Sequence, residues 1–302
     1  MSILVAGEVL IDLIKTPDGS ITAVAGGGPF NQARTVARLG VPVSFCGGIS
    51  NDSFGRHIAE ILSSEGVSTP VSTRAGLLTT LALAEVDVDG AATYTFYTAG
   101  TAAPSLQPDD VRIDHELAIF AIGTLGLVLE PIASTLAVLV ERLSDTTLLF
   151  VDPNCRPGNI PDEIAYRERL SKILSRADVV KVSGDDLAFL GSGSPALETA
   201  RRLLTQGPRV VLYTDGSASV RVLTQSDEIS LPVPPVTVID TVGAGDAFGG
   251  AFLAYWTLGG GTRADVDDLG RLRTAVEQAI VVASITCGRV GADPPWLAEI
   301  PV

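Results

Sequence analysis

Between Leu117 and Tyr213 the chain alternates short apolar, β-branched runs with longer stretches of helical periodicity, and this alternation restricts the fold more than any other feature. The apolar runs are Leu117–Ile122, Thr147–Val151, Val179–Val182 and Val210–Tyr213, and the stretches between them include Ile132–Leu143, Tyr166–Arg176 and Pro195–Thr205. Strands buried on both faces read as continuous apolar runs, and strands separated by helices pair in parallel through right-handed crossovers. The spacing therefore predicts an α/β chain with a doubly wound, mostly parallel central sheet flanked by helices. Ligands of such sheets bind beyond the carboxyl ends of the strands. Each predicted strand ends in small or polar residues: Gly123 and Thr124; Asp152, Asn154 and Arg156; Lys181, Ser183 and Asp186; Thr214, Asp215, Gly216 and Ser217. One polar strand end is unremarkable, but four in succession point to a shared site.

The first hundred residues add something different. A strand at Ile3–Val5 is followed by Val9–Ile14, the turn Pro17-Asp18-Gly19 and Ile21–Val24, which reads as a hairpin. A second hairpin joins Thr79–Val88 to Thr93–Tyr97 through Asp87, Asp89 and Gly90. Two hairpins, at about 9–25 and 79–98, set among α/β units predict a small second sheet that covers the site as a lid. Tyr94 and Phe96 share one face of the second hairpin, as cover for a ligand or as ordinary core. Between the hairpins, Gly26-Gly27-Gly28-Pro29-Phe30-Asn31 leads into a helix stopped at Gly40, with strand Val41–Cys46 and helix Ser53–Glu65 after it. The glycines allow a tight strand-to-helix turn or the close approach of a ligand to the main chain, and Asn31 offers both a donor and an acceptor for a polyol hydroxyl.

The third signal is Asp240–Phe252, DTVGAGDAFGGAF. Val236–Ile239 before it reads as a strand or a tight approach segment, and Ala247–Leu258 reads as a buried helix. Gly243, Ala244 and Gly245 let backbone amides converge at the positive end of that helix, a nest suited to phosphate. A carboxylate would repel that anion, so Asp246 is either an N-cap or a general base acting on a hydroxyl beside the phosphate.

Composition closes off other classes. The 302 residues contain no internal repeat or linker and read as one domain spanning 1–302. A net charge of −14 argues against a nucleic-acid surface. No apolar run reaches the ~18–20 residues of a membrane span. The opening MSILVAGEVLIDLIK has no basic region and carries Glu8 and Asp12, so it reads as a first strand and not a signal peptide. Three scattered cysteines indicate a reducing cytoplasm, and two histidines disfavour a His-built zinc site. No Gly-Lys-Ser/Thr phosphate loop occurs, and the glycines at 26–28 lack the dinucleotide-binding spacing, which disfavours a nicotinamide-dependent oxidoreductase.

GGGPFNQA (Gly26–Ala33) and DTVGAGDAFGGAF together resemble, in order, the two signatures of the ribokinase-like (PfkB) carbohydrate kinases, and the likeness runs nearly end to end. Within that family GEVLID (Gly7–Asp12) and ADVVKVSGDDL resemble segments of fructokinases, and DPNCRP (Asp152–Pro157) resembles the DPN-x-R segment of fructokinases and 2-keto-3-deoxygluconate kinases. The resemblance implies an ATP-dependent sugar kinase, first for fructose, with 2-keto-3-deoxygluconate, ribose or a nucleoside as alternative acceptors; a non-catalytic sugar-binding protein is the rival class. It implies Asp246 as catalytic base beside an anion hole at Gly243, Ala244 and Gly245. Asp12, Gly27, Gly28, Asn31, Phe96 and Arg156 would hold the sugar. Lys181, Asp186, Thr214, Gly216, Val282 and Ala283 would hold the nucleotide, with Asp186 serving Mg²⁺ through water and Asp240 serving K⁺. Three departures stand out: Asp186 replaces the family's Glu, Gly123-Thr124-Leu125 replaces an acidic segment of ribokinase, and the chain stops soon after Trp296. ATP, Mg²⁺ and K⁺ are the implied cofactors, and an exposed lid edge is the implied surface for a homodimer.

Overall fold

The computed structural model describes residues 2–71, 73–86 and 92–301. Strand β1 (Ser2–Ala6) leads into the hairpin β2 (Leu10–Lys15) and β3 (Ile21–Gly26), then α1 (Gly28–Arg38), β4 (Val43–Cys46) and α2 (Ser53–Ser64). The second hairpin is β5 (Leu81–Val86) and β6 (Ala92–Tyr97); its expected turn at Asp87, Asp89 and Gly90 lies outside the described residues. The alternating half follows: β7 (Leu117–Gly123), α3 (Ile132–Glu141), β8 (Leu148–Asp152), α4 (Glu163–Arg176), β9 (Val179–Ser183), α5 (Gly184–Gly191), α6 (Ala196–Leu204) and β10 (Val210–Asp215). The chain then adds β11 (Ser219–Leu223), β12 (Glu228–Pro232), α7 (Ala244–Leu258) and α8 (Leu269–Cys287).

The large sheet has the order β12-β11-β10-β9-β8-β7-β1-β4 and is parallel except for β11 and β12 at one edge. Its central strands are buried on both faces, as their unbroken apolar runs require. The small sheet has the order β3-β2-β5-β6, the hairpins meeting where β2 runs parallel to β5. Both expected hairpins therefore form, and together they make one sheet. Among the described residues no helix is long and apolar enough to cross a membrane.

Two features of the C-terminal third position the site. First, α7 begins at Ala244, three residues before the apolar run that suggested its start. Gly243 takes the left-handed conformation (φ 75°) and serves as the N-cap, so Asp246 falls inside the first turn and does not cap it. Second, α7 is buried almost all round and crosses α1 closely. A Cβ on Gly250 would stand 2.6 Å from the Gln32 carbonyl oxygen and from the Thr35 Cβ, so the glycine is needed for the approach. That approach places Asn31 of α1 against Asp246 of α7. Val236–Ile239 is not a strand. It follows Pro234 and Pro235, and its backbone ends on α8, where the Ile239 amide donates to the Cys287 carbonyl at 2.8 Å. It is thus the tight approach segment of the two alternatives.

Candidate active site

Two cavities meet at the start of α7. The first, of about 390 Å³, lies under the small sheet. Leu10, Asp12, Tyr94 and Phe96 line it from that sheet, and the two aromatic rings stack with centroids 6.1 Å apart. The large-sheet side contributes Glu8, Gly27, Gly28, Asn31, Thr124, Leu125, Asn154, Arg156 and Lys181, and the entry to α7 contributes Thr241 to Gly243, Gly245 and Asp246. The second cavity, of about 630 Å³, is more apolar and lies over the ends of β9 and β10. Ser183, Thr214, Gly216, Val233, Val238, Ala244, Ile280, Ala283 and Cys287 are among its walls. The two share Thr241 and Gly245, so the glycine-rich turn forms the partition between them. The first amides of a helix have no intrahelical partner, and those of α7 lie at this partition.

Asp246 is half-buried at the junction, where Asn31 Nδ2 donates to its Oδ2 at 2.9 Å. Asp12 lies on β2, between Val24 and Ala82 of the neighbouring strands. Burial, with a smaller contribution from the Asp246 charge, pushes its carboxyl up to about 6. Lys181 is buried and donates to Asp152 Oδ2 at 2.9 Å. Burial opposes the ammonium charge, but the Asp152 and Asp186 carboxylates more than offset it and hold its pKa above the ordinary value. Asp152 itself is pushed up to about 6, mainly by burial and against the pull of Lys181. Its Oδ1 is buried without a hydrogen-bond partner. Among the described residues, two of the three non-glycine residues with positive φ, Thr124 (55°) and Asn154 (40°), line the first cavity. Strained backbone of this kind persists where the surroundings hold it and concentrates at functional sites.

The expected site residues fall into three groups. Asp246, Gly243, Gly245, Asp12, Gly27, Gly28, Asn31, Phe96, Arg156 and Lys181 line the first cavity, while Ala244, Thr214, Gly216 and Ala283 line the second. Asp186, Val282 and Asp240 stand apart. Asp186 is fully buried, with Oδ1 accepting from the Cys155 amide (2.5 Å) and Oδ2 from the Ser183 amide (2.7 Å) and hydroxyl (2.6 Å). It closes a capping box at the start of α5, and neither cavity reaches it. Val282 is fully buried in the main core, because one step along α8 turns a side chain by ~100°, so it and Ala283 face different ways. Asp240 joins two loops, accepting from the amides of Val242 (3.0 Å) and Gly291 (2.9 Å). Among the described residues no group of three carboxylate, imidazole or thiol side chains is spaced to hold a metal ion.

Sequence reasoning missed Glu8, which figured only as a charge interrupting an apolar run. It is 2% exposed, lines the first cavity and accepts hydrogen bonds from the Gly28 amide (3.2 Å), the Gly126 amide (2.8 Å) and the Thr124 hydroxyl. Its signal was a carboxylate at the end of a strand with no neighbour in sequence to pair with.

Known proteins resemble this chain nearly end to end. A model of the pfkB family of carbohydrate kinases matches residues 1–299. The chain is 33% identical to a probable fructokinase-4 of Arabidopsis thaliana, over 97% of this chain and 93% of that one. It is 32% identical to a fructokinase of Rhizobium leguminosarum bv. trifolii, over 83% and 78% respectively. Among solved structures it superposes on a Xylella fastidiosa fructokinase with bound ATP at a TM-score of 0.89, with 28% identity, covering 99% of this chain and 95% of that one.

Proposed function

Because the chain belongs to the pfkB family of carbohydrate kinases, we propose that it transfers the γ-phosphoryl group of ATP to a hydroxyl of fructose, with Asp246 as the base. The observation that carries the reading is the position of Asp246, oriented by Asn31 and set where a polar cavity and an apolar cavity join across a turn of helix-start amides. In this reading the sugar occupies the first cavity. Asp12, Asn31, Arg156 and the backbone at Gly27 and Gly28 face its hydroxyls, and Phe96 covers it. The nucleotide occupies the second cavity, with its phosphates toward Gly245 and its base among apolar residues that include Ala283.

The chemistry follows from these positions. As the sugar oxygen bonds to the γ-phosphorus, Asp246 takes its proton, and the bond from that phosphorus to the bridging oxygen breaks to release ADP. Little covalent work falls to the protein, so positioning and charge stabilisation dominate. The amides at Gly243 to Gly245 and the Lys181 ammonium meet the charge on the migrating group. Mg²⁺ would enter on the nucleotide's own phosphates, since Asp186 is occupied and buried.

The walls of the first cavity favour a neutral acceptor. Glu8, Asp12 and Asp246 line it against Arg156 and a Lys181 already paired with Asp152. A sugar acid would bring a further negative charge into that surround. Arg156 is the feature that supports 2-keto-3-deoxygluconate as the second reading. ADP release measured over a panel of sugars, with and without K⁺, tests both, and fructose is expected to exceed the acid at least about tenfold in kcat/KM, the value of one poorly matched charge. Preference for the acid, or turnover with neither sugar, would overturn the assignment.

The same geometry gives a prediction at Gly28. A Cβ there would stand 2.4 Å from Thr124 Cγ2 and 3.2 Å from Asp246 Oδ1. The threonine methyl is held by strained backbone and has little room to give. Gly28→Ala is expected to lower kcat/KM for the sugar by about 10–100-fold, the scale of a displacement near 1 Å at a reacting centre. An unchanged value would show that the approach of α1 to Asp246 tolerates an added methyl group.

A further inference from the structure

We propose that Glu8 is a positioning residue for the acceptor cavity, whose ionised carboxylate clasps the start of α1 to the loop that follows β7. The inference rests on the kinase reading above. Three donors from two distant segments converge on two oxygens: the Gly28 amide and the Thr124 hydroxyl on Oε1, and the Gly126 amide on Oε2. A carboxylate can accept all three, whereas a protonated acid turns one oxygen into a donor and sets it against an N–H or O–H. All three donors belong to the acceptor wall or stand next to it. Gly28 and Thr124 line the cavity, as does Leu125, which the loop carries between Thr124 and Gly126. Thr124 holds a left-handed conformation that a β-branched residue rarely adopts, and its hydroxyl bond to Glu8 is one of the contacts that fix it there. The packing around the clasp leaves little slack, since a Cβ on Gly126 would stand 3.0 Å from Gly7 Cα and 3.5 Å from Glu8 Oε2.

The charge state of such a clasp responds to pH. Burial pushes the Glu8 carboxyl up to about 7; the bonds from Thr124 and Gly126 work in the opposite direction, and the Asp246 charge adds to the rise. The other titratable groups on this cavity are Asp12 on β2, Tyr94 on β6, Arg156 after β8 and Lys181 on β9, while Gly28 to Gln32 of α1 and Thr124 to Leu129 carry none. The folded-state value lies above the ordinary 4.5, so the ionised form is present above pH 7 and is lost as pH falls through 7. If fructose binds only the clasped state, its apparent Kd weakens by the fraction of protein still ionised. That is about tenfold from pH 8 to pH 6 for Glu8, with a further factor of about two from Asp12, whose carboxyl sits near 6.

The test is calorimetric titration of fructose into the whole protein, without nucleotide, at pH 8 and pH 6, alongside steady-state kinetics. The wild type is expected to bind about 20-fold more weakly at pH 6 than at pH 8. In Glu8→Gln the sugar Kd and KM are expected to rise about tenfold at pH 8, because one buried donor loses its acceptor, while KM for ATP stays within about twofold. The pH effect on binding is expected to shrink to about twofold, leaving the Asp12 part. Thr124→Val removes one donor without touching the acid and serves if Glu8→Gln fails to fold; it too is expected to weaken sugar binding and leave KM for ATP unchanged. The double variant is expected to bind within about twofold of Glu8→Gln, since the two residues act as one unit. Unchanged sugar binding in both single variants, an equal rise in the ATP and sugar KM values, or additive effects would overturn the clasp. Failure of the wild type to bind or phosphorylate any sugar would instead strike at the kinase reading on which it rests.

Discussion

Asp246→Asn is expected to lower kcat by about 10²–10⁴-fold while the protein remains folded. The substitution changes little except the ability to take a proton. An amide oxygen at this position can still accept from Asn31 Nδ2, now 2.9 Å from the carboxylate, so the orientation of the side chain is retained. The size is retained too, which matters because a Cβ at Gly28 would already approach Oδ1 to 3.2 Å. KM for the sugar is therefore expected to change much less than kcat, the pattern of an interaction made in the transition state and absent from the ground state. Retention of kcat within about tenfold would remove Asp246 from the role of base. The fold would then have to activate the sugar hydroxyl some other way, and Asp12, on the same cavity with its carboxyl near 6, would be the next candidate.

Lys181→Met is expected to damage both stability and activity, and a second substitution separates the two. Asp152 is fully buried, one of its oxygens has no partner, and Lys181 supplies the balancing charge at 2.9 Å. Removing one member of a buried ion pair strands the other, at a cost of about 3–5 kcal/mol. Replacing both with uncharged residues avoids that cost, and buried pairs exchanged for neutral side chains often lose little stability. Lys181→Met/Asp152→Asn is thus expected to unfold in urea at a midpoint much closer to wild type than Lys181→Met alone. Activity is not expected to return. Lys181 Nζ lies 3.0 Å from where a Cβ on Gly245 would stand, beside the amides assigned to the migrating phosphoryl group, and a methionine there carries no charge. A double variant with near-normal kcat would reduce Lys181 to a structural counter-ion for Asp152. If Lys181→Met alone proved as stable as wild type, Asp152 would have to be taking up a proton without penalty.

The order in which sequence reasoning succeeded has a physical basis. The parallel half was legible because buried parallel strands leave unbroken apolar runs, and the hairpins because turn chemistry is local. Asp246 and Asn31 were legible for the same reason, each being announced by adjacent glycines. Boundaries failed where a backbone conformation decided them, as when Gly243 let α7 start three residues early. The pair β11 and β12 and the helices α5 and α8 went unassigned, although Asp215-Gly216 is a hairpin-turn dipeptide that joins β10 to its antiparallel neighbour β11; it was read only as a polar strand end. Asp186 shows a signal given the wrong meaning. Ser183-Gly184-Asp185-Asp186 fits a helix capping box as well as an acidic phosphate-side motif, and the capping box is what forms. For Glu8 the local signal stopped at a carboxylate after a strand with no neighbour to pair with; its partners were out of reach of local reasoning, because the three donors lie 20, 116 and 118 residues away along the chain.

One feature of the two cavities bears on how such a protein changes over time. Apart from Lys181 and the turn at Thr241 to Asp246, the first cavity is lined entirely by residues 8–159, whereas the second is lined entirely by residues 183–287. With the sugar in the first cavity and the nucleotide in the second, as proposed above, mutation within residues 8–159 can remodel what is phosphorylated while leaving intact the apparatus that supplies the phosphate. A randomised library aimed at new acceptors belongs in that stretch, and drift toward a new substrate need not pass through an ancestor unable to use its nucleotide.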